Sequence, residues 1–479
     1  MIKPSGNPTT LIKPTAFVTG RSGARVALSS FHVSYTVGEI ARASVGMPIE
    51  DLWKFNATGP DTILSVKALG ETVFTGYLDS SAITLSGDLI SASAILVHQA
   101  RDLDESSLFS PGSHPSSTED FSIQMAFQSN EASASAADKA LNRRDIRFGI
   151  RENMGKEVVK YVISVMNHLV SSSTVRNLPA NLEPAWGTIS EQSPKVIEAL
   201  NDIAVHGECS MNVSGDVSSL EDAAAAFARN VALGAMGSGK SPWTVLSALM
   251  SSFGLTILCL PDGKSLITPD YSGCKPPSEN TIEASSIARF GSSSSKSRPP
   301  SAVLAIGYGV AAGNEVNPVS FAPVASFTPK VRPSSTSGVY TVGLPGWMVP
   351  VSRSSTQSPP PTLPEFLGAS WAKQIYYQVA NLNRSLSIIM PFSPNVTPGT
   401  VYRIFPSTSV RFMSGGSADV SKSFCGYCHS VTHSLTPDSN DISTSMVFRN
   451  IFEDTQEDAM IDGAPLFGDQ APFSAPYSE

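Results

Sequence analysis

The chain has 479 residues, 41% hydrophobic and 15% charged, with 35 Gly and 35 Pro. That length suggests about three structural units, and the composition favours short strands and loops over long helical bundles. The formal net charge of −8 excludes a protein that wraps nucleic acid by neutralising its phosphates, although it leaves DNA free to pass without sticking.

The N-terminus, MIKPSGNPTT, carries no apolar core of signal-peptide type. No stretch approaches about 20 uninterrupted apolar residues, so the expectation is neither export by the usual route nor a membrane span. Five cysteines, at 209, 259, 274, 425 and 428, make no disulfide framework in a chain this size, which points to synthesis in a reducing cytoplasm.

Phe31, Val33, Tyr35 and Val37 alternate with His32, Ser34 and Thr36, the period of a strand with one buried face, so His32 reads as an outward residue rather than a ligand. After Gly38, Ala41, Ala43, Val45 and Met47 continue the pattern as a hairpin partner. Further strands are predicted around Leu64–Ala68, Val73–Leu78, Ala82–Leu85 and Leu89–His98. This spacing fits a small closed barrel or sandwich ending near Asp104.

Residues 105 to 120 form a Ser/Pro-rich loop, after which the texture becomes helical. Apolar spacing predicts a helix over Lys156–Ser171. Ser193-Pro194 opens a second, with Val196, Ile197, Leu200 and Ile203 inward and Gly207 just past its end. Ser218 and Glu221 form a capping box for a third, Leu220–Val231. His168 and His206 read as helix-surface or core residues.

Gly234 to Ser241 matches G-x-x-x-x-G-K-[ST] in full. In a phosphate loop, Lys240 would reach the terminal phosphates and Ser241 would hold magnesium. The context disagrees: a helix rather than a buried strand precedes it, Pro242 removes an amide where the anion would sit, and a hairpin follows (Leu255–Leu260, the turn at Pro261-Asp262-Gly263-Lys264, Ser265–Thr268). Ser241 is better explained as the cap, and Pro242 as the first residue, of a helix closed by Gly254. Nucleotide binding through Gly234–Ser241 is the alternative function.

Ser292 to Ser301 reads as a second linker, Val303–Gly307 as a short strand and Ser352–Pro364 as a loop. Phe366, Leu367, Trp371, Ile375, Val379 and Leu382 make a helix face, so Trp371, Tyr376 and Tyr377 read as packing rather than a stacking platform for bases. Strands follow at Leu386–Phe392, Val401–Phe405, Phe424–Leu435 and Ser443–Ile451. The tail from Glu453 to Glu479 is acidic, without Lys or Arg, and reads as a partly disordered extension or docking peptide.

Cys425, Cys428 and His429 spell C-x-x-C-H, on paper a haem-attachment motif. In a strand, residues three apart point to opposite faces, so the two thiols do not meet one porphyrin edge. Cys425, His429 and His433 share a face by simple alternation, yet residues four apart are separated by about 13 Å, far beyond ligand bonds of about 2.0 to 2.3 Å. The residues therefore assign no catalytic, cofactor-binding or metal site, and no H-E-x-x-H supports a cell-wall hydrolase.

The order of elements resembles a bacteriophage tail hub. Residues 31–48 (FHVSYTVGEIARASVGMP), 73–81 (VFTGYLDSS) and 94–104 (AILVHQARDLD) resemble a first hub barrel. Residues 241–270, a capped helix, a glycine and a hairpin, resemble the hub's small domain. Residues 370–382, 398–404, 424–437 and 443–450 resemble a second barrel. The resemblance implies a mainly β fold with helical insertions (α+β), with two tail-tube-like antiparallel β-barrels and a small helix-hairpin domain. The implied division is 1–104 first barrel, 105–240 linker and helical insertion, 241–300 helix-hairpin domain and linker, 301–452 second barrel with packing helix, and 453–479 acidic tail. It further implies a homo-oligomer, a trimer forming a pseudo-sixfold ring. That ring would join tail tube or distal tail proteins to a central spike or fibre assembly, in a virion assembled in the host cytoplasm, with DNA crossing the lumen unbound. The helical insert is the chief departure from the family pattern.

Overall fold

The computed structural model describes residues 16–20, 25–49, 51, 62–86, 89–105, 198–200, 202–205, 241–252, 255–277, 279–294, 298–311, 321–329, 336–351, 372–373, 375–380, 384–405, 423–436 and 441–453. They are mostly strand.

The N-terminal strands are β1 (Ala16–Gly20), β2 (Arg25–Ala27), β3 (Ser30–Thr36), β4 (Arg42–Met47), β5 (Ile63–Ala68), β6 (Glu71–Ser86) and β7 (Leu89–His98), followed by a short helix α1 (Arg101–Glu105). The middle holds β8 (Ile203–Val205), α2 (Pro242–Ser252), β9 (Leu255–Cys259) and β10 (Ser265–Pro269). Then come β11 (Thr281–Ile282), β12 (Arg289–Ser294), β13 (Ala302–Ala311), β14 (Phe321–Phe327), β15 (Val339–Val351), β16 (Arg384–Pro391), β17 (Val401–Ile404), β18 (Phe424–Leu435) and β19 (Ile442–Glu453).

A single 13-stranded sheet runs β12-β16-β19-β18-β3-β4-β7-β6-β5-β1-β2, with β17 pairing β18 and β11. Within it, one arrangement occurs twice. The strands β3-β4-β7-β6-β5 and the strands β12-β16-β19-β18-β17 have the same spatial order, first, second, fifth, fourth and third in the chain, with every neighbouring pair antiparallel. The two five-strand units are joined by β18 lying antiparallel on β3, from Ser430↔Thr36 to Leu435↔Phe31.

Two closed barrels are therefore not what the described strands form. Both units are open stretches of one continuous sheet whose path ends at β12 and β2. A pattern of alternation specifies which face of a strand is buried; it says nothing about whether the last strand returns to the first.

Other expectations change in detail. Val73–Leu78 and Ala82–Leu85 belong to one 16-residue strand, β6, with a register shift against β7 between Leu78 and Ser80. The bulge breaks the alternation, which from sequence looks like a gap between strands. The helix expected to carry Ile203 inward ends earlier: Asp202 N–H still bonds the Glu198 carbonyl (2.9 Å), but Ile203–Val205 is β8, parallel to β10. Ile-Ala-Val suits either state, and the open edge of β10 decides. Ser292–Ser294, expected in a linker, are paired in β12, and Glu453, expected in the tail, ends β19. β13, predicted short, extends to Ala311 and lies between β14 and β15, both unpredicted, in a three-stranded sheet of its own. In the 370–382 segment, residues 372–373 and 375–380 are helical, but Ala372 and Tyr376 are the buried positions, not Ile375 and Val379. The helices expected at 156–171 and 220–231 lie outside the described residues, as do His168, His206, the 352–364 loop and the tail beyond 453. No helix among the described residues is long and apolar enough to cross a membrane.

The first unit is anchored to the β9–β10 hairpin through a buried histidine. Ala100 N–H donates to His98 Nδ1 (3.1 Å), which places the ring proton on Nε2, 3.0 Å from the Leu260 carbonyl it bonds. Burial lowers the His98 pKa from 6.5 to about 4. Between those values the unfolded chain binds a proton that the folded chain refuses, so stability falls as pH drops from 6.5 and this loss reaches its full size below about 4. We expect urea unfolding to show up to about 3 kcal/mol of this loss from His98 alone, and a His98→Gln variant to show a correspondingly flatter pH profile.

Candidate functional site

The C-x-x-C-H segment lies on β18, where it is covered on both faces. Cys425 packs with Cys274, Val401, Tyr427 and Phe452. Cys428 enters a separate cluster with Leu386, Ile388, Val431, Met446 and Phe448. The two thiols thus sit on opposite faces, as strand geometry requires. Burial raises the Cys428 pKa above the ordinary thiol range, and its Sγ points at the Ser430 carbonyl (3.7 Å). A protonated, enclosed thiol is a poor nucleophile and a poor metal ligand.

The histidines follow a different parity from the one that simple alternation predicts. β18 shifts register against β19 between Cys428 and Ser430, and Val431 consequently packs in the same cluster as Cys428, three residues earlier. His433, two further on, therefore falls on the Cys428 side of the sheet and not with Cys425. Its Nδ1 meets Thr444 Oγ1 at 3.1 Å and its ring stands edge-on to Phe392. Burial lowers its pKa to about 4; His429 is lowered to about 4 by burial and by the charge of Arg449.

The spacing of these residues has a structural origin that sequence reading overlooked. Residues 74–80 are F-T-G-Y-L-D-S and residues 424–430 are F-C-G-Y-C-H-S, a shared F-x-G-Y-x-x-S set 350 positions apart. The structure places the two copies alike, apart from a further register shift of β18 against β19 between Cys425 and Tyr427. Gly76 faces Leu64 of β5 as Gly426 faces Tyr402 of β17, and the register shift after Leu78 in β6 matches the one after Cys428 in β18. Cys425 and Cys428 thus occupy the places of Thr75 and Leu78, and His429 that of Asp79. A self-comparison of the chain at this offset was the signal available.

The glycine of each copy is required by close approach. A Cβ on Gly76 would overlap the carbonyl oxygen of Val97, a backbone atom, whereas one on Gly426 would meet the Cδ1 end of Ile451 at 2.8 Å.

Of the Gly234–Ser241 motif, only Ser241 is described. Its Oγ accepts from Thr244 N–H (3.2 Å) and donates to Asp104 Oδ1 (2.9 Å), so it caps α2 and ties that helix to α1. The Asp262 carboxylate accepts from Lys264 N–H (3.1 Å), the turn role expected for it. Tyr376 and Tyr377 pack against each other and against Phe327, with ring centroids 5.4 to 5.9 Å apart; Trp371 is outside the described residues.

Asp270 Oδ1 accepts from the N–H and Oγ of Ser272, and Oδ2 accepts from Gln378 Nε2 (2.9 Å). The carboxyl group is enclosed although the residue keeps some exposure, and burial raises its pKa against these hydrogen bonds. Tyr427 lies beside it without hydrogen-bond geometry, its own pKa raised by burial and then by that neighbour. Between β3, the β3–β4 turn, α1 and Trp243 lies an open cleft of about 580 Å³ bearing Glu39, Arg42, Asp79, Arg101, Asp104 and Glu105. Its charges are of both signs, and Arg101 Nε lies 3.2 Å from Glu105 Oε1.

No family model matches the sequence, and no curated protein matches it. Solved structures do. A tail protein from Neisseria meningitidis MC58 is 11% identical over 91% of this chain and 96% of its own, with a TM-score of 0.47. The prophage MuSo2 43 kDa tail protein from Shewanella oneidensis is 11% identical over 91% and 97%, with a TM-score of 0.43. Prophage tail protein gp18 from Listeria monocytogenes EGD-e is 8% identical over 91% and 94%, with a TM-score of 0.41. All three are tail proteins.

Two outcomes are expected at these residues. Gly76→Ala should cost about 3 kcal/mol and Gly426→Ala less, because overpacking against backbone relaxes less than overpacking against a side-chain tip; thermal melts compare them. Ser241→Ala should cost about 1 kcal/mol through its lost cap, while calorimetric titration with magnesium–ATP should give no binding heat in wild type or in Lys240→Ala.

Proposed function

We propose that this chain is a structural hub of a phage tail tip or baseplate, and that it is not an enzyme. The observation that carries the reading is the doubled five-strand unit, with equal strand order, equal bulge position and a shared F-x-G-Y-x-x-S segment. A chain holding two like units side by side in one sheet has the internal symmetry needed to present twice as many equivalent positions as it has subunits.

On this reading the first unit occupies 1–104 and the second 301–452, with the helix-hairpin domain at 241–300 between them, a helical insertion at 105–240 and an acidic tail at 453–479. β12, at 289–294, belongs with the second unit. Three subunits form a ring of six like units, matching a hexameric tube on one side and a trimeric spike or fibre on the other. DNA crosses its lumen, and the net charge of −8 supports passage without retention. The protein is a component of the virion tail, assembled in the host cytoplasm.

Light scattering after size exclusion is expected to give three times the chain mass for the protein alone, or three copies of the chain per complex with tube or spike protein, and class-averaged images a threefold ring. A chain that stays monomeric with every tail partner overturns the reading.

A further inference from the structure

Two strand edges that match the two sides of the junction between the units have no described strand lying on them. In β18 the segment beyond the bulge, Ser430–Leu435, pairs with β3. Its counterpart in β6 is Ser80–Leu85, by the shared bulge and the shared sequence segment. Along β6, β5 reaches only from Glu71 to Tyr77, and among the described residues no strand lies on that side beyond it. The counterpart of β3 is β12, since Phe31 faces Val45 of β4 as Phe290 faces Ile388 of β16. Among the described strands β12 pairs with β16 alone.

Both edges are exposed where their counterparts are covered. Ala82, Gly291, Ser292 and Ser293 are exposed and Ile83 is 55% exposed, whereas His433 is 3% and Val33 0% exposed. Natural edge strands are blunted by Lys, Pro or inward charges; residues 81–86 are S-A-I-T-L-S, without a charge or a proline, and β12 is R-F-G-S-S-S, whose one charge, Arg289, lies outside the 291–293 stretch.

We propose that β6 of one chain pairs antiparallel with β12 of a second copy, repeating across the subunit boundary the β18–β3 junction found within the chain. Carrying over Thr432↔Ser34, His433↔Val33 and Ser434↔His32 sets the register as Ala82↔Ser293, Ile83↔Ser292 and Thr84↔Gly291. The contact is head-to-tail, so each added chain leaves the same two edges for the next, and a suitable rotation closes them into a ring. The inference rests on the hub reading for the closure and for the number of chains; the strand pairing is tested separately from both.

The test is disulfide trapping in the full chain, with Ala82→Cys/Ser293→Cys and Ile83→Cys/Ser292→Cys made as double variants at exposed sites. Mild oxidation should give reductant-sensitive, chain-to-chain products from at least one pair. Wild type, each single variant, and the off-register pair Ala82→Cys/Gly291→Cys should give none. Amide exchange of wild type is the second readout: residues 80–86 and 289–294 should exchange about tenfold more slowly in the assembled form. A ring seen by light scattering with neither cross-link nor added protection overturns the pairing and spares the hub reading. In-register cross-links without a closed ring support the pairing and count against the ring. A chain that neither assembles nor cross-links overturns both.

Discussion

The antiparallel pairing of β18 with β3 is the contact on which the rest of the sheet depends. It joins Phe31–Thr36 to Ser430–Leu435, roughly four hundred residues apart, and among the described strands no other pair hydrogen-bonds the two five-strand units. The neighbouring turn reinforces it: Val37 N–H bonds the His429 carbonyl and Gly38 N–H the Ile257 carbonyl, each near 3 Å, so one turn holds the second unit and the β9–β10 hairpin together. Loop-closure entropy rises only logarithmically with separation, which is why so distant a pair is compatible with a stable fold. The burden falls on folding rate, since most strand partners must wait for that closure.

A repeated unit also explains why the chain carries residues that look like chemistry. In both copies the strand after the third-strand hairpin needs an aromatic facing the core, a glycine where backbones approach, and a polar residue at the bulge. Cys425, Cys428 and His429 fill places in that template that Thr75, Leu78 and Asp79 fill in the other copy. The positions demand packing, and small or medium side chains of several types satisfy it. Burial then holds the Cys428 thiol protonated and the His429 and His433 imidazoles neutral, so the environment suppresses the reactivity that the residue types suggest. The same holds for Ser241, whose hydroxyl is committed to Thr244 and Asp104.

Strand positions on the main sheet were legible wherever buried and more exposed residues alternate, as in β3, β4 and β5, because burial of alternate residues leaves a period of two in the sequence. They were illegible where that condition fails. β12 is Ser- and Gly-rich and reads as linker because its pairing comes from β16, not from side-chain burial. β8 is three residues long, and its state follows from the edge of β10. In β6 and β18 a single extra residue inverts the parity, which from sequence split one strand in two and placed His433 on the wrong face.

By itself the sequence determined the β character, the hairpin around Asp262, the cap at Ser241 and the impossibility of bringing Cys425 and Cys428 to one ligand. Each depends on residues within a few positions, where chain geometry leaves little choice. Only the tertiary structure decided that the two units share one sheet, that their bulges coincide and that β12 and the part of β6 beyond Tyr77 each have one side with no described strand on it. Those facts depend on backbone hydrogen bonds between distant strands, and a backbone amide has no residue-specific signature in the sequence.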